Sequence, residues 1–113
     1  MPRLKIDKEA LDDMMGEIRM MSRLHHPSIV QFLACCFDPY VCLVLELAVH
    51  GSLRDLLRRS RDALAFRWNL HASMLLGVAR GLNYLHSFRP PIIHRDIKPA
   101  NVRRRASRVA LTW

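Results

Sequence analysis

Apolar residues recur at steps of three and four from Leu11 through Met14, Met15, Ile18 and Met21 to Leu24, which is one face of an amphipathic helix. Asp7 can cap the start of that helix. Asp12 and Asp13 lie early in it and Arg19 and Arg23 late, as the helix dipole prefers. Pro27 disfavours helical backbone at His26 and ends the element. Residues 29–36 and 40–47 are short, β-rich apolar runs separated by the turn Phe37-Asp38-Pro39, so the pattern predicts an antiparallel hairpin. At Glu46-Leu47-Ala48-Val49-His50-Gly51 the apolar pattern breaks, and Ser52-Leu53-Arg54-Asp55 has the form of a capping box opening a further helix. Residues 58–67 are basic and loop-like. A second long helix is predicted over 68–87, with Leu75, Val78, Leu82 and Leu85 on one face and Leu70 and His71 leading in. Gly77 and Gly81 weaken that helix by about 1 kcal/mol each relative to Ala, and their spacing lets another helix approach closely. Pro90 and Pro91 stop it, and Ile92-Ile93 reads as a short strand. The fold class is therefore α+β.

Composition narrows the possibilities. The chain has 113 residues, half of them apolar and a quarter charged, so it is globular and at most one domain. The net charge is +8, and Arg103, Arg104, Arg105 and Arg108 contribute four of those charges with no acid after Asp96. A basic tail of this kind can attract nucleic acid or acidic lipid, or can simply be solvated. A small basic nucleic-acid binder is disfavoured because no aromatic residues interleave with the basic ones. Arg104-Arg105-Ala106-Ser107 also has the look of a basophilic phosphorylation site with Ser107 as acceptor. Met1-Pro2-Arg3-Leu4-Lys5 is not followed by an apolar run, and no apolar stretch is long enough to span a bilayer. Cys35, Cys36 and Cys42 lack zinc-type spacing and are expected to be reduced, strand-packing residues of a cytoplasmic protein.

The chemistry concentrates in His94-Arg95-Asp96-Ile97-Lys98-Pro99-Ala100-Asn101. A carboxylate, an ammonium and a carboxamide stand two and three residues apart, with Pro99 stiffening the backbone between them. Phosphoryl transfer to a hydroxyl needs this set: a carboxylate to accept the proton, a cation to meet the phosphate and an oxygen ligand for Mg²⁺. The octapeptide matches H-R-D-x-K-x-x-N, and on it the chain resembles the protein-kinase family. Lys98, two places after the Asp, resembles the serine/threonine-directed branch.

The resemblance implies a role for each matching position. Asp96 accepts the substrate hydroxyl proton, Lys98 steadies the γ-phosphate, and Asn101 binds one Mg²⁺. His94 braces the loop in the hydrophobic spine, with Met21 and Phe32 as neighbours, and Arg95 receives an activation-loop phosphate. The first helix corresponds to αC, with Glu17 as the acid that pairs with the phosphate-holding lysine of strand β3, and His26-Pro27-Ser28-Ile29-Val30 matches the turn that follows it. Lys5 does not serve as that lysine, because two residues before Asp7 leave no room for a strand to run back alongside the helix. The hairpin corresponds to family strands β4–β5, with Leu45 as gatekeeper. The Glu46 carbonyl and the Ala48 amide form a hinge that holds adenine, followed by αD. Ala79-Arg80-Gly81-Leu82-Asn83-Tyr84-Leu85-His86 resembles the end of αE.

The implied architecture is a partial kinase fold, truncated at both ends. Residues 1–48 are a partial N-lobe with hinge, 49–102 a partial C-lobe through the catalytic loop, and 103–113 a divergent basic tail. Position 103 should be apolar beneath the adenine, where an unpartnered guanidinium would cost several kcal/mol. The implied cofactors are ATP and Mg²⁺, and the implied partner is a protein substrate; the oligomeric state stays open. The chain contains no Gly-x-Gly-x-x-Gly, no V-A-x-K and no Asp-Phe-Gly. Two function classes follow: a segment of an ATP-dependent serine/threonine kinase that is inactive by itself, or a catalytically dead kinase-like module acting through protein contacts.

Overall fold

A computed structural model describes residues 7–59, 68–105 and 108–113. In chain order the elements are α1 (Lys8–Ser22), β1 (Phe32–Cys36), β2 (Cys42–Leu45), α2 (Leu53–Arg59), α3 (Trp68–His86), a 3-10 turn (Pro99–Asn101), β3 (Val102–Arg105) and β4 (Arg108–Leu111). The strands make two separate antiparallel pairs, β1 with β2 and β3 with β4.

The apolar stripe of α1 is used mainly at its C-terminal end. Ile18 and Met21 are buried, whereas Leu11 is exposed. Asp7 occupies the N-cap position, but its side chain makes no capping hydrogen bond, so that expectation is corrected. The helix closes at Ser22 rather than Leu24. Tighter bonds from Arg23 N–H to Met20 O and from Leu24 N–H to Met21 O, each 3.1 Å, end it. The Ser52 capping box forms as expected. Asp55 Oδ2 accepts from Ser52 N–H at 2.9 Å and Ser52 Oγ accepts from Asp55 N–H at 3.2 Å, starting α2. Residues 60–67, expected to be a basic loop, lie outside the described residues.

The core lies between α3, the turn after α1 and the β3–β4 pair, with Leu24, Ile29, Met74, Leu85, Val102, Val109 and Leu111 buried together. Full burial of side chains such as Leu85 and Leu111 contributes about 2–3 kcal/mol each. Met74 takes the place expected of Leu75, which is 65% exposed. The two α3 glycines do permit close approach, but to a strand rather than a helix. A Cβ on Gly77 would stand 2.2 Å from Val109 Cγ2, and one on Gly81 would stand 2.8 Å from the Ser28 carbonyl oxygen.

Residues 103–105 and 108–113, from the stretch expected to be a divergent tail, lie against the body of the protein. Val109, Ala110 and Leu111 are buried. Leu111 N–H donates to Ser28 O, and Val30 N–H donates to Leu111 O, each at 2.8 Å. Arg103 incurs no burial cost, because its side chain is exposed while its backbone bridges to Ser52. Ile92 and Ile93 form no strand. Ile92 N–H instead caps α3 by donating to Leu85 O at 3.0 Å, and Ile93 is 63% exposed.

The β1–β2 pair is thinly covered. Leu33, Leu43 and Val44 are exposed, and so are Cys36 and Cys42, with Cys35 half-buried. The cysteines are free, as expected, but Cys36 and Cys42 are exposed rather than packed.

Candidate active site

α3 ends at His86, and the chain then turns through Pro90 and Pro91 into the loop that starts at His94. His94 is buried and anchors this loop. Its Nδ1 accepts from Asp96 N–H at 3.1 Å, which leaves the ring proton on Nε2 to donate to the Thr112 carbonyl at 2.7 Å. The ring also stacks on Trp113, with centroids 4.4 Å apart. Arg95 has φ of 71°, a left-handed conformation that costs a non-glycine residue energy and is typical of functional loops. It turns the backbone so that Asp96 follows His94 at hydrogen-bonding distance.

The 3-10 turn brings Asn101 back onto Asp96. Asn101 Nδ2 donates to the Asp96 carbonyl and to Asp96 Oδ2, both at 3.0 Å. Lys98 Nζ lies 3.3 Å from the same Oδ2, with both side chains more than half exposed. The turn is closed by Asn101 N–H on Lys98 O and tied to the end of β4 by Thr112 N–H on Asn101 O, each at 2.9 Å. One carboxylate oxygen of Asp96 is thus held by a carboxamide and an ammonium, while Oδ1 has no partner among the described residues. A carboxylate held in this way can accept a proton from an incoming hydroxyl. Because Nδ2 of Asn101 is engaged, its oxygen is left as a hard donor suited to Mg²⁺. Among the described residues no group of three His, Cys, Asp or Glu side chains forms a metal cage.

A cleft of about 690 Å³ opens beside this loop. Glu17 and Met21 of α1, Leu45 at the end of β2, and His94, Arg95 and Asp96 all line it. The structure thus gathers six of the expected site residues around one space, and holds Lys98 and Asn101 against Asp96. Phe32, Glu46 and Ala48 do not line it. Phe32 is half-buried and paired with Leu45 in the sheet. The Glu46 carboxylate turns away, accepting from Gln31 N–H at 2.7 Å and pairing with Arg105 at 2.6 Å. Arg105 also donates to the Pro27 carbonyl, so one guanidinium joins the end of β2, the turn after α1 and the end of β3.

Sequence reasoning missed Thr112, Trp113 and Arg105. The alternation of Val109 and Leu111 was a strand signal, but it is short and adjoins an arginine run.

Comparison with known proteins agrees with this geometry. The sequence matches the family described as "Protein tyrosine and serine/threonine kinase" over residues 2–109, past the point at which the basic tail was expected to diverge. It is 41% identical over 99 residues to "Putative serine/threonine-protein kinase/receptor R826" of Acanthamoeba polyphaga mimivirus, an overlap of 87% of this chain and 6% of the relative. It is 36% identical over 103 residues to "Probable serine/threonine-protein kinase drkA" of Dictyostelium discoideum, covering 90% of this chain and 16% of the relative. It is also 40% identical over 100 residues to "Wall-associated receptor kinase-like 14" of Arabidopsis thaliana, covering 85% and 14% respectively. The chain thus spans a small part of the length of each of these relatives. With the catalytic-loop motif assembled beside a cleft and the family match running over nearly its whole length, the chain belongs to the protein tyrosine and serine/threonine kinase family and is a segment of its catalytic domain.

Proposed function

We propose that this segment supplies the catalytic loop of a kinase that transfers the γ-phosphoryl group of ATP to serine or threonine hydroxyls of a protein. The observation that carries the reading is the Asp96–Asn101–Lys98 unit braced by His94. Asp96 Oδ1 accepts the hydroxyl proton as the oxygen attacks, while Oδ2 stays fixed by Asn101. Lys98 steadies the negative charge of the transferring phosphoryl group, and the names of the relatives favour Ser/Thr acceptors. Mg²⁺, when bound, neutralises phosphate charge, with the Asn101 side-chain oxygen as its ligand in this chain. Leu45 bounds the nucleotide space, and the Glu46 carbonyl and Ala48 amide, in the segment that follows β2, are the main-chain groups for the adenine edge. Glu17 faces the same cleft, ready for a lysine cation.

In this reading residues 1–48 belong to the nucleotide-covering side and 49–102 to the substrate side of the domain. Positioning and charge neutralisation dominate phosphoryl transfer, so these residues act only in concert with a phosphate-covering loop and a second metal ligand.

A second reading has its own support. The exposed apolar residues of β1 and of the segment after β2, with Leu33 at 58%, Leu47 at 79% and Val49 at 73% exposure, fit a module that works through protein contacts. Labelled-ATP transfer by the longest translated product containing these residues separates the two. Transfer to Ser/Thr peptides supports the kinase reading; transfer to tyrosine alone, or none, contradicts it.

A further inference from the structure

A second pocket, of about 330 Å³, lies between α3, the turn after α1 and the β3–β4 pair. It shares no lining residue with the catalytic cleft. Arg80 of α3, Arg104 of β3 and Arg108 of β4 converge on it from three different elements, and no carboxylate lines it. Among the described residues the ion pairs are Lys98–Asp96 and Arg105–Glu46, so none of these three guanidiniums is neutralised. Convergent like charges repel, and folding by itself gains nothing from bringing them together. His26 adds a fixed donor to the rim. Its Nδ1 accepts from Ser28 N–H at 3.0 Å, which leaves the proton on Nε2, and its ring is held by stacking on Tyr84 at 4.7 Å.

We propose that this pocket binds the phosphorylated side chain of a protein segment, as a docking site separate from catalysis. A phosphomonoester carries close to two negative charges and three acceptor oxygens, which suits planar guanidinium forks. The pocket also has an apolar wall, from Pro27, Met74 and Val109, against which the methylene and backbone of a peptide can rest. Nucleic acid is matched less well, since it asks for a basic stripe or open aromatic platforms, and the nearby Tyr84 ring is already covered by His26.

The test is fluorescence anisotropy of the 113-residue chain with a labelled glycine–alanine peptide carrying one phosphoserine, beside its unphosphorylated twin, an anionic-lipid vesicle and a single-stranded oligonucleotide. The phosphopeptide is expected to bind about tenfold or more tighter than its twin. Arg80→Gln and Arg104→Gln are each expected to weaken it about tenfold, the loss of one charge-assisted contact. Arg54→Gln, an exposed residue of α2 outside the pocket, and Asp96→Asn should leave binding unchanged. The second control also keeps this result separate from the kinase reading. Equal binding of the two peptides, equal losses from Arg54→Gln and Arg104→Gln, or tighter binding of vesicle or oligonucleotide through the same arginines overturns the proposal. Melting curves accompany each variant; should Arg104→Gln fail to fold, the exposed Arg80→Gln decides.

Discussion

Alanine at Gly77 tests whether β4 packs on α3. The new Cβ would stand 2.2 Å from Val109 Cγ2 and 3.5 Å from the Val109 carbonyl oxygen. Carbon atoms in contact settle at about 3.5–4.0 Å, so the strand or the helix must yield by more than about 1 Å. Val109 is β-branched and buried, and cannot swing aside cheaply. Overpacking of this kind costs about 1–3 kcal/mol. Against it stands the helix-propensity gain of replacing glycine, about 1 kcal/mol. Gly16 of α1 is the internal control, because a Cβ there meets nothing within 4 Å and collects the propensity gain alone. The propensity terms cancel in the comparison, so Gly77→Ala should be less stable than Gly16→Ala by about 1–3 kcal/mol. Equilibrium urea unfolding followed by circular dichroism reads the difference from the midpoints. Adding Val109→Ala should relieve the clash, giving a favourable coupling of about 1 kcal/mol or more in a double-mutant cycle. If Gly77→Ala stabilises the protein as much as Gly16→Ala does, the β3–β4 pair does not lie against α3 and the core described above is wrong.

Three further outcomes are expected. Ser52→Ala removes the capping hydroxyl of α2 and should destabilise the protein by about 1 kcal/mol in the same urea assay; a change under about 0.3 kcal/mol would mean the cap is idle. Arg105→Ala loses the Glu46 ion pair, 28% and 22% exposed, together with the Pro27 carbonyl bond. After allowance for partial solvation it should cost about 1–2 kcal/mol. Glu46→Gln, which keeps an acceptor for Gln31 N–H, should cost less, and the reverse order would refute the clamp. The 113-residue chain by itself should show no ATP-dependent phosphorylation of protein substrates, and a signal that vanishes in Asp96→Asn would overturn that expectation.

Features written in neighbouring residues were legible in the sequence. The capping box at Ser52, the β1–β2 pair and the extent of α3 each depend on chemistry within a few positions. The His94–Asn101 unit was legible for the same reason, since its contacts close within eight residues. Long-range choices were not. Met74 rather than Leu75 faces the core because β4 docks over Gly77 and Gly81, which the period of α3 does not encode. Arg103, Arg104 and Arg105 read as a solvated run. As a strand they place their backbones between Gly51 and β4 and let Arg105 reach Glu46. Asp7 has the chemistry of a cap but makes no capping bond, which depends on a side-chain rotamer that no sequence pattern fixes.

The central claim is that Asp96, fixed by Asn101 and His94, takes the proton of the acceptor hydroxyl. The direct measurement is single-turnover phosphoryl transfer to a serine peptide by the longest translated product containing these residues, compared with its Asp96→Asn variant. The account predicts a loss of about 10²–10⁴ in the transfer rate with ATP binding retained. An Asp96→Asn protein that transfers phosphate as fast as the parent would contradict it.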